Sequence, residues 1–250
     1  VQLAVQTNSA MVTGFGFFSD TIRDLLRGTT FESTAPGFVA GAVMSKEALE
    51  ACFMGMPSWA AQPDQCVNYA SCHDNTTLFD RIALTAPDAP VESRIRMNNL
   101  AAAFYMLSQG VPFLQAGEEM LRTKPGKHGG FDDNSYRSAA KVNQLDWTRM
   151  HEYRDLAEFY RGLILLRKSF PAWRQRSLEV LDQISFVDAP EGCVAFTIRT
   201  GAEPEAAAES VLTDNVAPWQ ELFIIYNANK EAVESVSYTH LRAHETSQDL

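Results

Sequence analysis

His73, Asp74 and Asn75 close a stretch, Val67-Asn68-Tyr69-Ala70-Ser71-Cys72-His73-Asp74-Asn75, that starts mostly apolar and ends polar. The start suits a buried strand. The end sets an imidazole, a carboxylate and an amide side by side, groups that bind, orient or carry charge. The C-terminal mouth of a parallel barrel is where such enzymes place their chemistry. Residue type alone supports a plainer role as well, with Asp74 or Asn75 capping a helix over Thr76–Leu84. A second polar pair, Asp20 and Arg23, follows the apolar run Met11–Phe18. Its i,i+3 spacing suits a surface ion pair beside a helix N-cap. The lysines of Arg122–Asn134 suggest an anion site, but in a Gly-rich stretch a solvated loop is the expectation.

The elements around these residues follow from periodicity. Met11–Phe18 reads as a buried strand and Asp20–Arg27 as a short helix with Ile22, Leu25 and Leu26 on one side. Ser45 is placed to cap a helix reaching about Phe53. Glu92–Gln109 repeats apolar residues at helical spacing and stops at Gly110. Val111–Gln115 reads as the next strand. His151–Phe170 reads as a helix with Leu156, Phe159, Tyr160, Leu163, Ile164 and Arg167 on one face, ended by Pro171. Up to residue 172 this is the alternation of a parallel α/β unit. Beyond it, Leu178–Val187, Cys193–Arg199 and Leu222–Tyr226 read as antiparallel strands. A domain boundary near residue 172 follows.

Composition narrows the partners. The chain has 250 residues, 46% of them hydrophobic, and a formal net charge of −10. That charge argues against nucleic acid, whose phosphates need a basic surface, and is compatible with a neutral substrate. No apolar run reaches the roughly 18 residues of a membrane span. Cys52, Cys66, Cys72 and Cys193 lack paired metal-type spacing and read as free core thiols. The chain begins with Val rather than Met, so its start is silent about export.

Several stretches together resemble a known family. Asn68, Tyr69, His73, Asp74, Asn75, Thr77, Leu78 and Asp80 fit N-Y-x-x-x-H-D-N-x-T-L-x-D. This is similar to the fourth conserved region of the α-amylase superfamily (glycoside hydrolase family 13), in the form seen in type I pullulanases, which debranch α-1,6 links. Gly110–Glu119 resembles the superfamily's eighth-strand region, G-x-P-x-x-x-x-G-x-E. Asn134-Ser135-Tyr136 with Val142–Trp147 is similar to the loop that follows it, which lines the subsite of the sugar to be cleaved; read locally, this is a surface loop with Trp147 packed underneath. Phe17–Asp24 looks like the end of the sixth strand.

The resemblance implies an α/β fold. Residues 1–172 would be the C-terminal part of a (β/α)8 barrel, about strands 6 to 8, and 173–235 a truncated all-β sandwich. Asp74 would stabilise the oxocarbenium-like transition state. His73, Asn75, Asp20, Arg23, Asn134 and Tyr136 would contact an α-glucan such as pullulan, branched starch or glycogen. The resemblance fixes no cofactor, with calcium an option for the complete enzyme. One departure matters. A retaining glycosidase needs a nucleophile and an acid/base about 5–5.5 Å apart. The family's motifs for them, G-F-R-F-D and G-E-G-W, do not occur here. The resemblance therefore implies a C-terminal fragment without turnover of its own. A non-catalytic glucan-binding module, using His73, Asp74, Tyr136 and Trp147, is the competing expectation. A complete small enzyme of another kind finds no support, because no G-x-S-x-G, Walker, G-x-G-x-x-G or zinc-helix motif occurs.

Val236–Thr246 stands apart. Its residues are similar to the in-frame translation of a transposase-based sequencing adapter. Residues 236–250 are therefore expected to be an unpacked artefact, with His240 and His244 not a metal site.

Overall fold

The computed structural model of the chain describes residues 3–199 and 221–234. The expectations for residues 236–250, including His240 and His244, lie outside the described residues. Two three-stranded sheets flank a layer of helices. The first sheet is parallel, in the order β1 (Phe17–Phe18), β2 (Cys66–Asn68), β3 (Val111–Pro112). Phe18 pairs with Val67, and Val67 with Val111. Between β1 and β2 lie α1 (Asp20–Arg27) and α2 (Lys46–Phe53). Between β2 and β3 lie α3 (Leu78–Thr85) and α4 (Val91–Leu107). After β3 come α5 (Ala140–Asn143), α6 (Thr148–Glu152) and α7 (Arg154–Ser169). The second sheet is antiparallel, in the order β4 (Ile184–Val187), β5 (Cys193–Arg199), β6 (Glu221–Asn227).

Helix ends follow local chemistry. α1 spans the expected residues and buries Ile22, Leu25 and Leu26. Ser45 caps α2 by accepting the Ala48 N–H at 3.2 Å. α3 is capped by Thr77, which accepts the Asp80 N–H at 3.2 Å. Asp74 and Asn75 therefore do not cap it. Asn75 sits in left-handed backbone, φ 61°, and the helix starts later than expected. The C-terminus of α4 is closed by a side chain distant in sequence. Arg167 of α7 donates to the carbonyls of Met106 at 2.7 Å, Ser108 at 2.8 Å and Gly110 at 2.6 Å. A cation there meets the negative end of the helix and satisfies carbonyls that lack helical partners.

Four expected elements are shorter than their patterns. Met11–Phe18 yields only Phe17–Phe18 as strand, because Gly14 takes φ 84° and Gln6–Met11 is a 3-10 helix. Val111–Gln115 yields only its first two residues before the chain turns at Gly117, φ 97°. Leu178–Gln183 is a 3-10 helix that precedes β4. The stretch His151–Phe170 is broken at Tyr153, and Phe159 and Ile164 are exposed rather than on the packed face.

The core is one apolar cluster that joins the helices to the antiparallel sheet. Phe53 of α2 is its hinge. Its ring lies 3.9 Å from Phe196 of β5 and 6.2 Å from Phe104 of α4, between ring centroids. Tyr226 of β6 donates to the Ala103 carbonyl of α4 at 3.1 Å. The four cysteines are free. Among the described residues, no helix is long and apolar enough to cross a membrane.

Candidate functional site

The three parallel strands run the same way, so the segments leaving them leave from one edge of the sheet. β1 leads to Asp20 and Arg23, β2 to His73–Asn75, and β3 to the loop that carries Asn134 and Tyr136. At the first of these, Arg23 donates to Asp20 at 2.6 Å, to Asp24 at 2.7 Å and to the Tyr69 hydroxyl at 2.8 Å. Tyr69 in turn donates to Asp20 at 2.6 Å. Burial pulls the Arg23 guanidinium down, but its hydrogen bond to Asp24, the Tyr69 hydroxyl and the charges of Asp24 and Asp20 carry it above its ordinary value. The i,i+3 ion pair is thus present, and Tyr69 ties it to the strand that ends in His73 and Asp74.

His73 and Asp74 stand out from the protein. Their side chains are 88% and 70% exposed, and His73 Nε2 lies 3.3 Å from Asp74 Oδ1. Beneath them the backbone is fastened from the segment after β3. Ser71 Oγ donates to Glu118 at 2.8 Å, and Gln115 Nε2 donates to the Cys72 carbonyl at 2.5 Å. Lys124 Nζ donates to the carbonyls of His73 at 2.7 Å and Asn75 at 2.9 Å. These bonds fix the backbone beneath the two exposed side chains.

Two buried carboxyls support this arrangement: Glu118, which falls at an unassigned position of the strand-8 motif, and Asp80, the last member of the His73–Asp74 motif. The G-x-E of the strand-8 motif points to Glu119, whose carboxylate only accepts the Gly117 N–H at 2.9 Å. The carboxyl that matters for the interior is its neighbour, Glu118. It accepts from Tyr105 at 2.8 Å, from Tyr160 at 3.0 Å and from Ser71. Burial pushes Glu118 up to about 7; the hydroxyls of Tyr105, Ser71 and Tyr160 pull the other way, and Glu119 adds to the rise. The second is Asp80, which accepts the Lys124 N–H at 2.8 Å and a hydrogen bond from Thr123. Burial raises it, against hydrogen bonds from Thr123, Lys124 and Thr77. Lys124 is 1% exposed, so the expectation of a solvated basic loop fails at this residue.

The loop with Asn134 and Tyr136 is held internally. Ser135 Oγ donates to Asn143 Oδ1 at 2.8 Å, and Asn143 Nδ2 returns a bond to the Ser135 carbonyl at 2.7 Å. Tyr136 is exposed, beneath the Arg137 guanidinium. Trp147 is 62% exposed, which overturns the expectation that it packs underneath. Among the described residues no hydrogen bond joins Asn134 or Tyr136 to His73 or Asp74. Cys72, His73 and Asp74 are the one group of three or more potential metal ligands among the described residues, with ligand atoms within 4.8 Å of one another. Three neighbours on an open loop fall short of the four ligands of a closed structural zinc site.

Comparison with known proteins places this arrangement. No family model matches the chain. A pullulanase of Bacillus subtilis is 32% identical over 240 residues, covering 93% of this chain and 31% of its own. A chloroplastic pullulanase of Arabidopsis thaliana is 44% identical over 92 residues, 36% of this chain and 9% of its own. Among solved structures, a mutant pullulanase of Paenibacillus barengoltzii complexed with maltotetraose superposes with a TM-score of 0.83 at 36% identity. That match covers 95% of this chain and 35% of the other. The pullulanase of Bacillus acidopullulyticus gives a TM-score of 0.76 at 35% identity, covering 87% and 25%. These relatives are glycoside hydrolases. The chain belongs among the pullulanases, whose C-terminal region it matches. It spans about a third of the length of the Bacillus subtilis relative.

Proposed function

We propose that this chain is part of an enzyme that hydrolyses α-1,6 glucosidic links in pullulan, starch or glycogen by a retaining mechanism. The observation that carries the proposal is the exposed His73–Asp74 pair at the end of the central parallel strand, on a backbone fastened from below. In this reading the parallel strands are consecutive strands of a (β/α)8 barrel, about the sixth to the eighth. The antiparallel strands after residue 172 belong to a β-sandwich. The nucleophile and acid/base lie in a part of the enzyme that this chain does not contain.

Each residue then has a defined task. As the bond breaks, positive charge develops at the anomeric carbon and ring oxygen. A carboxylate at Asp74 opposes that charge and orients the sugar hydroxyls. His73 donates to the same sugar, and Asn75 adds an amide beside it. Asp20 and Arg23, locked together through Tyr69, present a fixed polar group at the neighbouring strand end. Asn134 and Tyr136 supply polar and aromatic contacts from the loop after β3. Asp74 alone cannot perform a double displacement, which needs two carboxylates.

Reducing-sugar release from pullulan tests the division of labour. The complete enzyme should release sugar, and residues 1–235 alone should not. Turnover by residues 1–235 alone would overturn the placement of the nucleophile and acid/base elsewhere.

A further inference from the structure

Lys124 is an unusual lysine. It lies in a Gly-rich, hydrophilic segment, yet it is 1% exposed. Among the described residues its ammonium faces no carboxylate oxygen at hydrogen-bond distance. It donates instead to two main-chain carbonyls, His73 at 2.7 Å and Asn75 at 2.9 Å. Its own backbone N–H donates to buried Asp80 at 2.8 Å, and Thr123 beside it donates to the same carboxylate. Asp80 thus fixes where the lysine starts, and the two carbonyls fix where it ends.

The consequence appears in the side chains above. In an extended strand successive side chains point to opposite faces. His73 and Asp74 are successive, yet His73 Nε2 and Asp74 Oδ1 lie 3.3 Å apart, both exposed. The backbone allows this because it curls around one donor. The carbonyls of residues 73 and 75 turn inward to the same nitrogen, and Asn75 takes the left-handed φ of 61° that few side chains other than Asn and Asp tolerate. The side chains of His73 and Asp74 stand outward, opposite these inward carbonyls.

We propose that Lys124 is a positioning residue: by holding the carbonyls of His73 and Asn75 it sets the turn that aims the Asp74 carboxylate. The proposal rests on the reading of Asp74 given above. Lys124 does not touch the sugar. Misplacing a reacting group by about 1 Å can cost about 100-fold in rate, and that is the expected loss here.

The test is Lys124→Met in the complete enzyme, which keeps the stem and removes the donors. Its kcat on pullulan should fall about 100-fold while KM changes by less than about threefold, since other contacts hold the polymer. Amide hydrogen exchange at residues 73–75 should accelerate. A folded variant with unchanged kcat, or one that loses only thermal stability, would overturn the proposal. If the Met variant does not fold, Asp80→Asn is measured in the same way. It keeps the shape of the anchor and weakens its hold on Lys124, and the same loss of kcat at constant KM is expected; an unchanged kcat would overturn the proposal. Asp74→Asn run in parallel separates the two claims. If it retains full turnover, the reading of Asp74 fails; if it is crippled while Lys124→Met is not, only the positioning role fails.

Discussion

Replacing Asp74 by Asn in the complete enzyme should lower kcat on pullulan by about 100- to 1000-fold, the range found when one group opposing transition-state charge is removed. The amide keeps the size of the carboxylate and can still hydrogen-bond a sugar hydroxyl. Ground-state binding should therefore persist in part, and KM should move far less than kcat. What is lost is the negative charge opposite a developing cation, an interaction stronger in the transition state than before it. The side chain is 70% exposed and, among the described residues, carries no structural bond beyond its contact with His73, so the variant should fold normally. Near-normal turnover by this variant would show that the motif has been misassigned.

Glu118→Gln should change how stability depends on pH. In the unfolded chain this carboxyl releases its proton near its ordinary value of 4.5; in the folded chain burial, the largest cause, holds the proton until about pH 7. Between those values the folded state binds more protons than the unfolded state, so stability falls as pH rises through that window. At about 1.4 kcal/mol per pH unit, the loss from this group approaches about 3 kcal/mol above pH 7. Glutamine does not titrate. Its carbonyl can accept from Tyr105 and Tyr160, and its amide can donate to Ser71. The variant should match the parent below pH 4.5 and melt at a higher temperature than the parent at pH 8. Parallel melting curves against pH for the two proteins would mean that Glu118 is not the titrating group.

What could be read in the sequence follows the range of the interactions involved. α1 was legible because its buried face and its ends lie within eight residues. His73, Asp74, Asp20 and Arg23 were legible as motif members, and the structure sets them at the ends of neighbouring parallel strands. The N-cap of α3 is ambiguous in sequence because Asp74, Asn75 and Thr77 all have the chemistry of a cap; in the structure Thr77 makes the capping bond. Lys124 itself was unreadable: a lysine among glycines signals solvent unless the carbonyls that will receive it are known, and they lie about fifty positions earlier. Glu118 was hidden for the same reason. Its partners Tyr105 and Tyr160 sit on two helices, α4 and α7, that only the tertiary fold brings together. The strands are shorter than their apolar runs because such runs mark burial, whereas ladder pairing is confined to a few residues of each run.

The measurement that bears most directly on the central claim is a structure of the complete enzyme with maltotetraose bound. The account predicts a glucosyl unit with hydroxyls within about 2.7–3.2 Å of Asp74 and His73, and the Asp20–Arg23 pair lining the same groove. A saccharide seated elsewhere, with His73 and Asp74 still open to solvent, would contradict it.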